Sequence, residues 1–243
     1  MKLNHEQLNS YEENGYVLVN NILPLEELSR LNSIMESLYQ KRLQDPNLAH
    51  DEQQRNQIHR LGTDSEYSKS LARHPNILST VEDIVKPGIA LFSAKLISKG
   101  PSEPNNVCHW HQDEAYWNIY SESMTRMSVW LPLQDTDRTN GCLRIVPGTH
   151  KRKILPHEPR SSRDHGACRL SFLPGEKELK GTVYCEIKKG SAILFSSRIF
   201  HSSLGNNSKQ HRRAFILSYQ EATIAGKDSD YTVLRPAIPV PQG

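Results

Sequence analysis

The stretch at residues 107–117, VCHWHQDEAYW, places two histidines and two acidic residues within six positions. In a β-strand alternate side chains share a face, so His109, His111 and Asp113 would all point the same way. Two neighbours in such a row, with a third ligand from another strand, can cap one side of an octahedral ion and leave the other side open, as in the 2-His-1-carboxylate site of non-haem Fe(II) oxygenases. An H-x-D pattern also occurs by chance, and the alternative is a half-exposed strand with polar residues outward.

A second cluster further along the chain strengthens the metal hypothesis. His201 directly follows an apolar strand and a turn-like segment, which predicts an imidazole at the mouth of the core. Arg212 and Arg213 then open the apolar strand AFILSYQ, so one of the two must face inward. A buried guanidinium needs an anion, and its fork fits a carboxylate. The pattern therefore predicts a cosubstrate that carries a carboxylate.

The first eighty residues indicate a helical layer. Asn4 followed by Gln7 is typical of a capping box, and it predicts a short helix that ends near Gly15. Residues 16–19, YVLV, favour a short strand. Apolar residues then recur at steps of three and four over residues 25–42, which predicts a strong amphipathic helix that covers the core.

The sequence changes character beyond residue 88. Short apolar runs alternate with Gly, Pro, Asn and Asp clusters, which favours a β-sandwich or small barrel with helices packed on one side. We expect one domain over residues 1–243, with a helical layer at about 1–80 and a barrel at about 88–225. The polar segment 44–70 is predicted to be a surface loop or lid.

Composition excludes several classes of function. The chain has 30 basic and 27 acidic residues and a formal net charge of +3, which gives no case for nucleic acid or a membrane as its partner. No window approaches 18 uninterrupted apolar residues, and the first residues lack the apolar core of a signal peptide. The four cysteines form no C-x-x-C pair, so neither a zinc ribbon nor a dense disulfide scaffold is indicated. A cytoplasmic, reducing location is predicted.

Taken together, the motifs resemble those of the phytanoyl-CoA dioxygenase family of Fe(II)- and 2-oxoglutarate-dependent oxygenases. The resemblance runs over most of the chain and rests on these segments, in order: Gly15-Tyr16-Val17, Leu96-Ile97-Ser98-Lys99, His111-Gln112-Asp113, Trp130, Asn140-Gly141-Cys142-Leu143, Val146-Pro147-Gly148-Thr149-His150, and His201 with Ser203, Asn206 and Arg212.

The resemblance implies a mainly β fold with flanking helices, a double-stranded β-helix or cupin-like jelly roll, that uses Fe(II), 2-oxoglutarate and O₂. It implies that His111, Asp113 and His201 are the metal ligands, with no catalytic residue needed beyond them. Arg212 would bind the distal carboxylate of 2-oxoglutarate with help from Ser203, and Arg213 would face outward. By the same resemblance, Trp130 and Lys95 border the cosubstrate.

The expected activity is hydroxylation, or a related oxidation, of an unactivated C–H bond in a small-molecule metabolite, coupled to decarboxylation of 2-oxoglutarate to succinate. Halogenating relatives replace the carboxylate ligand, and the presence of Asp113 disfavours that chemistry. An acyl-CoA α-hydroxylase and a non-catalytic metal- or ligand-binding barrel are the alternatives. No oligomeric state is predicted. Candidate substrate-pocket residues are His109, Glu114, Tyr116, Trp117, Arg126 and Arg144, with a packing role as the alternative for the two aromatic residues.

Overall fold

A computed structural model describes residues 1–45, 57–59, 66–117, 123–160, 168–224 and 232–237 of the chain. Its α-helices are α1 His5–Asn14, α2 Leu25–Leu43, α3 Glu66–Ala72, α4 Pro75–Glu82 and α5 Glu176–Leu179. Its strands are β1 Tyr16–Val19, β2 Gln57–His59, β3 Ile89–Lys99, β4 Cys108–His111, β5 Met127–Pro132, β6 Leu143–Val146, β7 Glu158–Pro159, β8 Leu170–Ser171, β9 Val183–Cys185, β10 Ala192–Ser196, β11 Phe200–Ser203, β12 Arg212–Gln220 and β13 Thr232–Arg235. Short 3₁₀ helices cover Asp113–Tyr116 and Thr149–Lys151.

Two antiparallel sheets build the body of the fold. The major sheet has the order β1-β10-β5-β12-β3-β13, with β2 also paired to β3. The minor sheet has the order β4-β11-β6-β9, and β7 pairs with β8 separately. The architecture is the expected double-stranded β-helix of mainly β character with helices on one side.

Alternation along the strands of the major sheet divides the core into two layers. On β12, Phe215 and Leu217 pack towards the helices, in a cluster that includes Leu31 of α2. Ala214 and Ile216, one position out of phase, pack in a second cluster with residues of the minor sheet. The space between the two sheets is therefore apolar and buried, and it can shield a polar site at its end from water.

The predicted N-terminal elements are confirmed. The Gln7 amide N–H donates to Asn4 Oδ1 at 2.8 Å, and the Asn4 N–H donates to Gln7 Oε1 at 3.0 Å, so the capping box of α1 is complete. Gly15 ends the helix in the left-handed conformation with φ 79°, where a Cβ would also collide with the ring of His150. Strand β1 then pairs with β10 in the major sheet.

Two further expectations concern the loop and the membrane. Most of the predicted lid, residues 44–70, lies outside the described residues. In the described part of the chain, no helix is both long and apolar enough to cross a bilayer.

Candidate active site

Two histidines from distant segments meet in the minor sheet. Strand β4 pairs antiparallel with β11, and in this register His111 lies directly opposite His201. Their ring centroids are 4.1 Å apart, and both residues are buried. The histidine of the predicted H-x-D segment and the remote histidine are thus neighbours on two paired strands.

Asp113 reaches the same place by a different route from the one expected. The prediction that the strand continues through Asp113 is wrong, because β4 ends at His111 and Asp113 begins a 3₁₀ helix. Gln112 fixes this junction: its backbone N–H donates to His157 Nε2 at 2.9 Å, and its side-chain amide donates to the carbonyl of Arg198 at 2.7 Å. The change of conformation therefore occurs at a buried, fully anchored residue.

The hydrogen bonds of the two imidazoles favour one tautomer. Nδ1 of His111 lies 2.8 Å from the carbonyl oxygen of His109, and Nδ1 of His201 lies 3.1 Å from that of Ile199. A carbonyl only accepts, so each Nδ1 carries the proton and each Nε2 presents a lone pair. Oδ1 of Asp113 lies 3.7 Å from Nε2 of His111 and 3.9 Å from Nε2 of His201. Three donor atoms therefore face a common point.

Burial and neighbouring charged groups together set the charges of His201 and Asp113. Burial lowers the pKa of His201 to about 3, with the neighbouring His111 acting in the same direction, so His201 is neutral near pH 7. Burial acts to raise the pKa of Asp113, but Lys95 and the two histidines outweigh it and hold this pKa well below its usual value. A neutral imidazole beside a carboxylate suits a divalent cation, and two imidazoles with one carboxylate fit Fe(II).

A buried arginine lies at the same cavity. Arg212 is 2% exposed, its guanidinium carbon lies 5.6 Å from the ring centroid of Trp130, and Nη2 is 3.5 Å from Ser203 Oγ. Burial lowers its pKa to about 10, so the group stays charged at neutral pH. Nε and Nη1 have no hydrogen-bond partner among the described residues. A buried cation with unused donors needs an anion, and a carboxylate matches its fork.

The cavity itself, about 610 Å³ counted with its open mouth, brings seven of the predicted residues together. The lining includes the three candidate metal ligands and all four candidate cosubstrate residues: His111, Asp113, His201, Arg212, Ser203, Trp130 and Lys95. Lys95 Nζ lies 3.7 Å from Asp113 Oδ1. Ile97, Leu143, Phe195 and Ile216 supply apolar wall.

The six candidate substrate residues are placed elsewhere, and none of them is among the described residues that line this cavity. Glu114 and Arg126 are paired with each other by a 2.6 Å contact, which satisfies both charges inside the protein. Arg144 belongs to the outer face of β6, where its guanidinium lies 4.9 Å from the ring of Trp110. The alternation that makes Leu143 an inward residue turns Arg144 away from the cavity.

The remaining three candidates, Tyr116, Trp117 and His109, have contacts outside the cavity lining. The Tyr116 ring packs edge-on against His111 at 5.7 Å, while its hydroxyl bonds to the backbone of Leu170. The Trp117 ring packs against Phe92 at 5.0 Å, so the packing role considered for both aromatic residues agrees with their contacts. His109 contributes its backbone carbonyl to His111, and its side chain is half-buried.

Sequence reasoning missed several groups that the fold brings to the site. Ser128 Oγ lies 3.4 Å from Asp113 Oδ2 and 2.9 Å from Ser218 Oγ. Buried Lys99 donates to the backbone carbonyls of Ser203 and Leu204 and so fixes the end of β11. Serines inside apolar runs give no distinct signal, whereas the strand alternation of β3 would have placed Lys99 on the same face as Lys95 and Ile97.

Comparison with known proteins agrees with this geometry. Residues 11–214 match the family model described as phytanoyl-CoA dioxygenase. The human protein named "Phytanoyl-CoA dioxygenase, peroxisomal" is 26% identical over 237 residues, covering 89% of this chain and 68% of the relative. The Caenorhabditis elegans protein named "Probable phytanoyl-CoA dioxygenase" is 25% identical over 241 residues, covering 89% of this chain and 75% of that relative.

Solved structures show the same fold. EctD from S. alaskensis in its apoform has a TM-score of 0.73 at 19% identity, with 91% of this chain and 78% of that chain covered. SnoK, titled a "non-heme alpha ketoglutarate dependent carbocyclase" from nogalamycin biosynthesis, has a TM-score of 0.71 at 20% identity, with 99% and 94% covered. Fold and site together define a non-haem Fe(II)- and 2-oxoglutarate-dependent dioxygenase that uses O₂. The chain belongs to the phytanoyl-CoA dioxygenase family.

Proposed function

We propose that this enzyme hydroxylates an unactivated C–H bond of a small-molecule metabolite, with His111, Asp113 and His201 as iron ligands and Arg212 as the anchor of 2-oxoglutarate. The observation that carries the proposal is the buried guanidinium of Arg212, whose Nε and Nη1 lack partners among the described residues and which lines the same cavity as the three metal-donor atoms. A barrel that served only as structure would gain nothing from burying this charge.

The charges around the cavity support a dianionic cosubstrate. Three basic residues, Lys95, Lys99 and Arg212, lie on its wall, whereas Asp113 is the only carboxylate among the described residues that line it. Iron would add two further positive charges, and Asp113 offsets one of them. A dicarboxylate that bridges the metal and Arg212 would therefore neutralise charge at both of its ends.

The residues that line and support the cavity have distinct parts in the proposed reaction. The bonds from Nδ1 of His111 and His201 to backbone carbonyls orient both imidazoles towards the metal. Ser203 contacts Arg212 and would help to hold it in place, while Phe195 and Ile216 would shield the bound cosubstrate from water. When bound, iron, 2-oxoglutarate and O₂ together supply the oxidising chemistry, and the cosubstrate is converted to succinate. The protein holds these partners and aims one substrate carbon at the metal.

The first test is spectroscopic. Fe(II) and then 2-oxoglutarate are added anaerobically to the apoprotein, and we expect a weak visible charge-transfer band that needs both additions. Arg212→Ala should weaken 2-oxoglutarate binding without abolishing iron binding. If neither the band nor an effect of Arg212→Ala is found, a non-catalytic barrel becomes the better reading.

The second test concerns substrate. Succinate release above the uncoupled background is measured across amino acids, secondary-metabolite scaffolds and acyl-CoAs. We expect a small polar metabolite to stimulate release, with a hydroxylated product. The acyl-CoA α-hydroxylase is the second candidate, favoured by the names of the relatives, and stimulation by acyl-CoAs alone would establish it instead.

A further inference from the structure

Two cysteines that the proposed reaction does not use also line the cavity. Cys108 begins β4, and Cys168 lies 60 residues further along the chain, yet the structure joins them in a disulfide with their Cα atoms 5.1 Å apart. Cys142 and Cys185, by contrast, are buried and unpaired. Burial raises the pKa of Cys142 to about 11 and that of Cys185 to about 12, so both thiols stay protonated near neutral pH.

The disulfide lies directly against a candidate iron ligand. The sulfur of Cys108 is 3.7 Å from Nδ1 of His111, and the sulfur of Cys168 is 3.9 Å from its Nε2. Nε2 is also the atom that faces Asp113. His111 therefore belongs to two donor sets, one with Asp113 and His201 and one with the cysteines, and in each set the donor atoms lie within 4.8 Å of one another.

The two sets suit different metals. The set with Asp113 and His201 offers two imidazole nitrogens and a carboxylate oxygen, which fit Fe(II). Thiolates with an imidazole are instead typical zinc ligands. Bond lengths of about 2.3 Å to sulfur and about 2.0 Å to nitrogen place neighbouring ligands of a tetrahedral zinc roughly 3.5 to 3.8 Å apart. The 3.9 Å between Cys168 Sγ and His111 Nε2 is close to this spacing.

We propose that Cys108, Cys168 and His111 form, once the disulfide is reduced, a binding site for Zn²⁺ or another thiophilic divalent ion that competes with iron for His111. A cellular dithiol supplies two electrons and two protons, becomes a disulfide itself and leaves two thiols. The metal ion then displaces both protons as the two sulfur–metal bonds form. The proposal rests on the proposed function only in that iron is the ion displaced.

The disulfide consequently selects between metals. In the oxidised form the sulfurs carry no thiolate charge, and Nε2 of His111 is left to the set with Asp113 and His201. In the reduced form zinc takes His111 into the cysteine set and removes one iron ligand. The enzyme is therefore inhibited by zinc when it is reduced and is protected from this inhibition when it is oxidised.

Co²⁺ alone is the probe for the test, because cobalt bound by thiolate has an intense near-ultraviolet charge-transfer band that cobalt bound by histidine and aspartate lacks. Full-length apoprotein is prepared anaerobically in a reduced form and in an oxidised form, and intact mass confirms the loss of two hydrogens on oxidation. We expect the band in reduced wild type and in reduced Cys142→Ser, but not in oxidised wild type or in Cys168→Ser. Absence of the band from reduced wild type, or an equal band in Cys168→Ser, overturns the proposal.

A competition measurement connects the site to iron. Zn²⁺ is titrated against the reduced protein loaded with Fe(II) and 2-oxoglutarate, and the loss of the visible band is followed. Cys168→Ser should need at least about tenfold more Zn²⁺, because losing even an outer partner of a metal ligand costs that much affinity. Equal zinc requirements in both proteins contradict the competition.

His201→Ala separates this proposal from the proposed function. This variant loses a candidate iron ligand but keeps the cysteine set, so it should lose the Fe(II)–2-oxoglutarate band and keep the cobalt–thiolate band. If wild type never forms the iron band but does form the cobalt band, the proposed function alone fails. The opposite result rejects the cysteine site and leaves the oxygenase intact.

Discussion

Two of the arginines that the structure describes are buried, and their surroundings differ. Arg126 is 1% exposed and Arg212 is 2% exposed. Arg126 has its counter-charge within the chain: Nη1 donates to Glu114 Oε1 at 2.6 Å, and Nε and Nη2 donate to Gln220 Oε1 at 3.0 and 2.7 Å. Arg212 has Ser203 at 3.5 Å, and its other donors have no partner among the described residues.

The difference separates a structural charge from a functional one. Glu114 is also held by Ser197, whose hydroxyl donates to Oε2 at 2.7 Å, so the Arg126 site is complete without a ligand. A complete buried pair stabilises its surroundings, and here it fixes the 3₁₀ helix that begins at Asp113. The Arg212 site is half of an ion pair, and we propose that the cosubstrate supplies the other half. Loss of Arg126 should therefore destabilise the fold, whereas loss of Arg212 should weaken cosubstrate binding and leave the fold stable.

The largest expected effect is on the folding of Arg126→Met. It leaves Glu114 buried without its cation, which costs about 3–5 kcal/mol of unfolding free energy. Urea unfolding of the apoprotein, followed by circular dichroism, measures this loss. The matched control is the double variant Glu114→Gln/Arg126→Met, which removes both charges and should recover most of the stability. A single variant as stable as wild type would show that the pair is not structural.

The second effect is on cosubstrate binding by Arg212→Met. The carboxylate of 2-oxoglutarate loses a buried partner, and a loss of about 2–5 kcal/mol corresponds to at least about 30-fold in Kd. The apoprotein should keep its unfolding free energy within about 1 kcal/mol, or gain some, because an unmatched buried charge is removed. Anaerobic titration calorimetry in the presence of Fe(II) measures the Kd of 2-oxoglutarate. Urea unfolding measures the stability of the apoprotein. A large loss of apoprotein stability would mean that Arg212 is a structural cation like Arg126.

The same comparison shows what a sequence can and cannot predict here. Strand alternation, a local property of the segment RRAFILSYQ, predicted that one of Arg212 and Arg213 faces inward, and the family resemblance identified Arg212 as that residue. Arg126 was assigned to a substrate pocket because it flanks the segment of the candidate metal ligands, and nothing in the sequence indicated its pairing with Gln220 on β12. Pairings between distant segments depend on the assembled fold, which alternation within one strand does not report.

The candidate metal ligands lie together, but strand alternation explains their meeting only in part. Asp113 was placed beside His111 by strand alternation, but the backbone turns into a 3₁₀ helix there. The two side chains still meet, with Asp113 Oδ1 3.7 Å from His111 Nε2, because Gln112 between them keeps an extended backbone (φ −115°, ψ 127°) before the helix begins. The Cys108–Cys168 pair could not be predicted at all, since 60 residues separate the two sulfurs and no spacing motif marks them.

A smaller effect is expected from Ser203→Ala. Loss of one hydroxyl beside Arg212 should weaken 2-oxoglutarate binding by about 1 kcal/mol, or roughly fivefold in Kd. The neighbouring Ser202 provides the control, because its buried Oγ has no partner among the described residues and it faces the opposite side of β11. Ser202→Ala should leave the calorimetric Kd unchanged. Equal effects of the two variants would assign the loss to the strand and not to the hydroxyl.

The smallest effect is expected from Arg213→Met, one residue from the cosubstrate arginine. Arg213 points to the helical side of the major sheet, where it donates to Glu36 and to Asn32 of α2. Glu36 is 45% exposed, and a pair of this kind contributes about 0–1 kcal/mol. We expect Arg213→Met to lose this small amount of stability, and to lose less at high salt because salt screens the ion pair. The Kd of 2-oxoglutarate should not change. Because adjacent strand residues lie on opposite faces, a weakened Kd in Arg213→Met would contradict the assignment of cosubstrate binding to the inward face of β12.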